Sequence, residues 1–477
     1  MQRMKINKDM RKSIIIVLMS CCITFPAWTQ SLDDYLVIAG ENNPELKAYY
    51  QEYLAAMEIA PQVGSLPDPE LSVGIFPSPM ERFMGNQVAD IRLMQMFPWF
   101  GMLATQKEEA KYMAQAKYSL FLNAKNQLFY QVKDSWYELY AIQEQIRISQ
   151  ENLEYLKKYE TLALSKFRAA SAGNSPKSAM PQNSTNTQTV SSGSSGMGSM
   201  GNSQPMTTSS PQAMNSGMSN NGIGMSDVLR IRMQIRELES SIETLKDQLT
   251  PVQIKFNKLL NREIQAPIAI PEKLDATALI WDKMVVLDSI TTHNPMLQMY
   301  ESELSALDQQ EKMARLDGRP MFGAGVNYMP FQPRPEGNML MGGNDMIMPM
   351  VTMTLPIYRK KTQSRIKETN YLKEATVLRK ERESNMLAME WSMAIRDLED
   401  ANRKVKLYQE QTELANQTLN LVLTSFTSNG KDFEEVLATQ QILLDYQLKA
   451  ILAIVQQHKS LALLESLGTG NLSGLND

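Results

Sequence analysis

Cysteine is confined to Cys21 and Cys22, and histidine to His293 and His458. Beyond the first thirty residues no run of about eighteen apolar residues occurs. Each scarcity excludes something. If the N-terminal segment is removed, no thiol remains for disulfides, thiolate metal sites or cysteine nucleophiles, and stability must come from packing. The two histidines fall in different predicted helices with no Cys, Asp or Glu grouping at metal-site spacing around them, so neither an enzyme nor a bound cofactor is expected. The glycines of "SSGSSGMGSMG" follow no strand and end in no Gly-Lys-Ser/Thr, which removes a phosphate loop. With a mean hydropathy of -0.31, the chain is too polar for a bundle of membrane-spanning helices, so any bilayer crossing must use strands.

An excess of positive charge is also lacking. The net charge of -4 falls to about -8 once Arg3, Lys5, Lys8, Arg11, Lys12 and Asp9 leave with a leader, and such a chain offers no footprint for nucleic acid. The leader itself is legible. "MQRMKINKDMRK" is a basic start, "SIIIVLMSCCITFPAW" an apolar core, and Ala27-Trp28-Thr29 a small-residue cleavage site, giving a signal peptide over 1–29. Leu18-Met19-Ser20-Cys21 is a rival reading as a lipid-attachment site, although Met19 fits that pattern poorly and the apolar run continues past Cys22.

What the chain does contain, it contains twice. Asn43-Pro44-Glu45-Leu46 recurs as Asn294-Pro295-Met296-Leu297, each a helix N-cap followed by proline in the first turn. The helices so opened are predicted to run to about Gly64 and Leu316. "PELSVGIF" and "PMFGAGVNY" then alternate as strands, and after loops rich in Pro, Gly and Asn come return strands. In "NDMIMPMVTMTLPIY", Met346, Met348, Met350, Thr352 and Thr354 occupy one face and Ile347, Pro349, Val351, Met353 and Leu355 the other. "ADIRLMQMFPWFG" matches it, so Met94 and Met96 share the facing of the methionine row, while Leu71, Val73, Ile75, Ile91, Leu93, Phe97, Phe322, Val326, Val351 and Leu355 form an apolar set. Pro98 and Pro356 close these strands, and their fixed φ suits the first turn of a following helix.

After each joint the pattern predicts a helix of about 66 residues, roughly 100 Å long at 1.5 Å per residue. Its final part keeps a 4-3 spacing in both copies: Leu139, Ile142, Ile146, Ser149, Leu153, Leu156, Glu160, Ala163, Phe167 in the first, and Leu398, Ala401, Val405, Tyr408, Thr412, Ala415, Leu419, Val422, Phe426 in the second. Such seams require partner helices. A turn and a return helix complete each copy, with Gly222 and Asp227 aligned on Gly430 and Glu435. The return helix covers about half the long one, so an opening helix stacked end to end on it would supply the rest.

The doubled helix, hairpin, long helix and return helix, with the repeated Asn-Pro-x-Leu, the Phe-Pro-Trp-Phe-Gly and Leu-Pro-Ile-Tyr joints and the Gly-x-x-x-x-Asp-Val-Leu and Gly-x-x-x-x-Glu-Val-Leu tips, resembles the TolC family of outer-membrane efflux proteins, with a CusC-like heavy-metal branch among the options. The resemblance covers about residues 31–170 and 222–470. It implies a mainly α protein with a small β part, in which antiparallel coiled-coil helices form a periplasmic α-barrel and four strands per chain enter a 12-stranded outer-membrane β-barrel of a homotrimer. The implied partners are outer-membrane lipid, a periplasmic adaptor (membrane fusion protein) and an inner-membrane pump of the RND type. The implied role is a passive exit duct for Cu(I)/Ag(I) or drug-like molecules, the alternatives being a type I protein-secretion duct or a periplasmic coiled-coil scaffold.

The expected organisation is therefore a first repeat over 31–262 with strands near 70–76 and 89–97, a linker over 263–282, a second repeat over 283–470 with strands near 321–328 and 346–356, and a tail over 471–477. The first repeat carries an insert, 171–221, of Ser, Asn, Gly, Thr, Pro and Met that cannot bury a core and is expected to be disordered. Its Met180, Met197, Met200, Met206, Met214 and Met218 are candidate soft ligands for Cu(I) or Ag(I), against the plainer reading of a spacer in a chain with 34 methionines. Met94, Met96, Met346, Met348 and Met350 are candidate pore-facing residues, with gap-filling as the alternative. Gly222, Asp227, Gly430, Asp432, Glu434 and Glu435 are candidates for a periplasmic tip that meets an adaptor or forms an acidic gate; helix-start acids that favour the dipole are the other reading.

Overall fold

The computed structural model describes residues 31–173, 225–277, 282–336, 338–428 and 433–468. The chain is mainly helical with a small sheet, and it divides into two compact units. One holds the described residues up to Gln145, Lys246–Tyr408 and those from Lys449 on; the other holds the described parts of Ile146–Leu245 and Gln409–Leu448.

The elements repeat in order. In the first half these are α1 (Leu32–Asn42), α2 (Pro44–Val63), β1 (Glu70–Arg82), β2 (Gly85–Phe97), α3 (Met102–Gly173) and α4 (Met225–Leu259). The second half has α5 (Lys283–His293), α6 (Pro295–Leu316), β3 (Met321–Met329), the short β4 (Phe331–Gln332), β5 (Arg334–Glu336) and β6 (Met339–Met341), then β7 (Met346–Thr354), α7 (Arg359–Thr427) and α8 (Phe433–Leu467).

The opening helix of each half breaks at the repeated asparagine, and the break is a joint. Asn43 Oδ1 accepts from Leu46 N at 3.0 Å, capping α2, while its Nδ2 donates to Leu259 O, at the end of α4, at 3.0 Å. Asn294 caps α6 through Met296 N (2.9 Å) and Leu297 N (3.3 Å), and its Nδ2 donates to Leu467 O, at the end of α8, at 2.8 Å. A single amide thus satisfies an orphan N–H of one helix and an orphan C=O of another. Proline follows at N1, where its missing N–H costs nothing.

In the first unit, Tyr35, Leu128, Trp136, Phe256, Val455 and Ala462 build a core from α1, α3, α4 and α8, with Tyr35 and Phe256 edge to face at 5.2 Å. Val286, Ile290, Leu297, Leu387, Leu398 and Leu464 build a second. The segment joining the two halves lies extended over these helices, and their side chains satisfy its backbone: Ala269 N donates to Tyr35 Oη at 2.7 Å, Leu274 N to Tyr140 Oη at 2.9 Å and Thr277 N to Gln457 Oε1 at 2.9 Å. His458 is buried against this segment, stacked on Tyr137 at 5.1 Å, with Nε2 2.8 Å from Asp275 O. In the second unit Leu156, Ala163, Ile231, Leu419, Phe426 and Val436 close a four-helix seam. The 4-3 positions are buried or half-buried throughout, and the one acid among them, Glu160, meets Arg232 Nε at 2.6 Å.

Two local expectations are corrected. The first hairpin does not loop out over 77–88: β1 continues to Arg82, β2 starts at Gly85, and the register shifts between Ile75 and Met80. Pro77 and Pro79 sit in that irregular stretch of an edge strand, where a missing N–H leaves no ladder bond broken. Nor do Pro98 and Pro356 enter the helical first turn. They follow the last ladder residues, and the helices begin beyond them at Met102 and Arg359. In the first joint Gly101, at φ +88°, makes the reversal and accepts from Thr105 N at 2.9 Å.

Candidate functional site

The principal strands form one antiparallel sheet in the order β1-β2-β3-β7, with β4 alongside β2 and a separate β5–β6 pair. Because partners in register share a face, the pairing sorts every side chain. Leu71 lies opposite Leu93 and Val73 opposite Ile91; Leu93 then faces Val326 and Phe97 faces Phe322; Val326 pairs with Pro349 and Ala324 with Val351. One face is thus apolar along the long strands but for Gln95, and it is open: Val351 is 82 % exposed, Ile75 74 % and Leu71 65 %. On the other face Met94 lies opposite Gly325 and Met96 opposite Gly323, which in turn face Met350 and Thr352; Met348 faces Asn327 and Met346 faces Met329. All five methionines singled out from the sequence share this second face with Asp90 and Arg92.

The glycines of β3 explain how the thioethers lie. A methyl group on Gly323 would stand 2.3 Å from Thr352 Oγ1 and 2.6 Å from Met96 Sδ; on Gly325 it would stand 2.6 Å from Leu93 O and 3.1 Å from Met94 Sδ. Only glycine lets β2 and β7 side chains bend over β3.

Aromatic residues that the alternation did not single out gather at the sheet's helix-proximal end. Trp99 stacks on Phe322 at 5.9 Å and touches Phe100, while Phe100 and Tyr358 are largely exposed. Their signal was present in the Trp and Tyr beside the strand-ending prolines, read there as joint residues only.

In the second unit, Asp227 lies in the first turn of α4, and Glu434 and Glu435 lie in that of α8. Arg230 Nη1 reaches Glu434 Oε1 at 2.8 Å, tying the two helix starts together. A buried amide chain lies further along the seam. Gln440 Nε2 donates to Asn152 Oδ1 at 2.5 Å, Asn152 Nδ2 to Gln447 Oε1 at 3.2 Å and Tyr159 Oη to Gln440 Oε1 at 3.2 Å. Met180, Met197, Met200, Met206, Met214, Met218, Gly222, Gly430 and Asp432 lie outside the described residues. Among the described residues no three His, Cys, Asp or Glu side chains gather to hold a metal ion, and no helix is long and apolar enough to cross a membrane.

No protein-family model and no curated protein matches the chain. Solved structures do. The channel CusC aligns with a TM-score of 0.67 over 92 % of each chain at 14 % identity. The outer membrane protein VceC from Vibrio cholerae aligns at 0.65 over 92 % of this chain and 96 % of its own at 12 % identity. The CmeC outer membrane channel of Campylobacter jejuni aligns at 0.64 over 94 % and 87 % at 12 % identity. At such identities the likeness is one of fold, and the fold of this chain is that of these channels.

Proposed function

We infer that a chain with this channel fold is itself an outer-membrane exit duct of the TolC family. The observation that carries the reading is the two-faced sheet. A continuous, exposed apolar face backed by a face of methionine, threonine and charge is what a wall between lipid and water requires. A periplasmic scaffold or adaptor has no use for such a face, and exposed aromatics at one end of it match the girdle of a barrel at a membrane interface.

The long strands of one chain cannot close on themselves, since β1 and β7 end the strand order, and open edges are not tolerated in lipid. Three copies pooling four strands each would give a 12-stranded barrel, and the helices would continue it as a periplasmic tunnel. The repeats 31–262 and 283–470 are the halves of this plan. In this reading the chain does no chemistry. An inner-membrane pump of the RND type supplies energy, an adaptor meets the tips around Gly222 and Gly430, and Asp227, Asp432, Glu434 and Glu435 ring the mouth. Cu(I), Ag(I) or drug-like molecules are the cargo, with the methionines of 171–221 gathering soft ions near the entrance.

Purified protein placed in a planar bilayer should give discrete conductance steps and migrate as a heat-modifiable trimer. A detergent-independent monomer without conductance would end the reading. For the acidic ring, E434A is expected to change conductance and weaken cation preference; unchanged recordings remove it.

A further inference from the structure

We propose that Met94, Met96 and Thr352 form a binding site for a soft monovalent cation, Cu(I) or Ag(I), on the methionine face of the sheet, with Met350 as the next donor along the row.

The placement is specific. Met94 and Met96 come from β2, Thr352 and Met350 from β7, and between them β3 presents only the backbone of Gly323 and Gly325. Strands two apart are separated by about 9.5 Å, too far for ordinary side-chain contact over an intervening residue with a Cβ. The glycine floor removes that obstacle, and the side chains use the space. Thr352 Oγ1 lies 3.7 Å from Met94 Sδ and 3.9 Å from Met96 Sδ. The point where Gly323 would carry a methyl group is 2.6 Å from one sulfur, 3.4 Å from the other and 2.3 Å from the hydroxyl oxygen. Two sulfurs and one hydroxyl oxygen are thus packed together over the glycine floor, and the single hydroxyl proton cannot serve both sulfurs fully.

Donor chemistry selects the ligand. Thioethers bind soft ions and need no deprotonation, whereas Ca²⁺, Mg²⁺ and Zn²⁺ ask for carboxylates, imidazoles or thiolates that the cluster lacks. Met96, Met94, Met350 and Met348 continue along the same face at steps of about 7 Å along each strand. Sites of few, weak ligands in a row permit entry and release, as conduction requires. Gap-filling explains methionine in a closed core, but among the described residues no layer packs over Met346 and Met348, which are exposed.

The proposal rests on the duct reading for access from a lumen, and the test separates the two. Full-length protein in detergent is exposed to a limiting oxidant with and without Ag(I), and sulfoxide formation at each methionine is followed by mass spectrometry. Ag(I) is expected to suppress oxidation of Met94 and Met96 while Met233, exposed on α4, keeps its rate; Mg²⁺ should suppress neither. In M94L, a swap close to volume-conserving, Met96 should lose its protection. Should M94L fail to assemble, the wild-type comparison stands alone. Unchanged oxidation of Met94 and Met96 in excess Ag(I) overturns the site, and if the same preparation conducts in a bilayer the duct survives without it. Protection in a preparation that does not conduct keeps the site and removes the duct.

Discussion

Asn294 accepts from the helix it starts and donates to the helix that ends against it, its amide oxygen and nitrogen pointing to different helices. Replacement by Asp keeps the acceptor but turns a carboxylate oxygen on Leu467 O. Replacement by Ala removes both bonds. Each should cost about 1–3 kcal/mol, read as a lowered thermal midpoint, and N294D should be no better tolerated than N294A; a wild-type midpoint for N294D would show that the bond to Leu467 contributes nothing. The cap was legible in the sequence, because Asn-Pro before a periodic run is a local signal. The bond to Leu467 was not, since it joins residues 173 apart. His458 was passed over for the same reason. Burial lowers its pKa against the opposing pull of the Asp275 carbonyl and of Glu465, so it is neutral in the fold. An unfolded histidine titrates near 6.5 and takes up the proton first. Stability should therefore fall as pH drops below about 6.5, and H458Q should flatten that slope in thermal melts between pH 5 and 8.

Among the elements, the sheet was the most legible part, because a period of two assigns faces without knowledge of the partner strands. The apolar set named from alternation is the one the register assembles. What alternation could not reveal is how closely the strands' side chains cross over one another. Gly325→Ala meets the backbone oxygen of Leu93, whereas Gly323→Ala meets only side-chain atoms of Thr352 and Met96 that can turn away. G325A should thus be the more disruptive, by about 1–3 kcal/mol, measured as loss of heat-resistant assembly. The prolines of β1 also misled the reading of that hairpin, since proline predicts a loop unless the strand is known to lie at an edge. Helix length and seam phase were visible from the 4-3 spacing, whereas the polar contacts that select the partner across the seam, such as Asn152 with Gln440, depend on chain segments 288 residues apart.

In the proposed duct, the two faces of the sheet become two environments. Val351→Arg on the apolar face should destabilise an assembled barrel by about 2–4 kcal/mol, while Met348→Arg on the opposite face should assemble and shift ion preference. Equal tolerance of both would contradict the assignment of lipid and lumen. An unclosed sheet also dictates an order of events. A lone subunit entering the bilayer would carry two rows of unsatisfied peptide groups into hydrocarbon, on the outer sides of β1 and β7. In the proposed duct, chains must therefore meet before, or while, they enter lipid, so subunit supply should set the rate of maturation more steeply than first order.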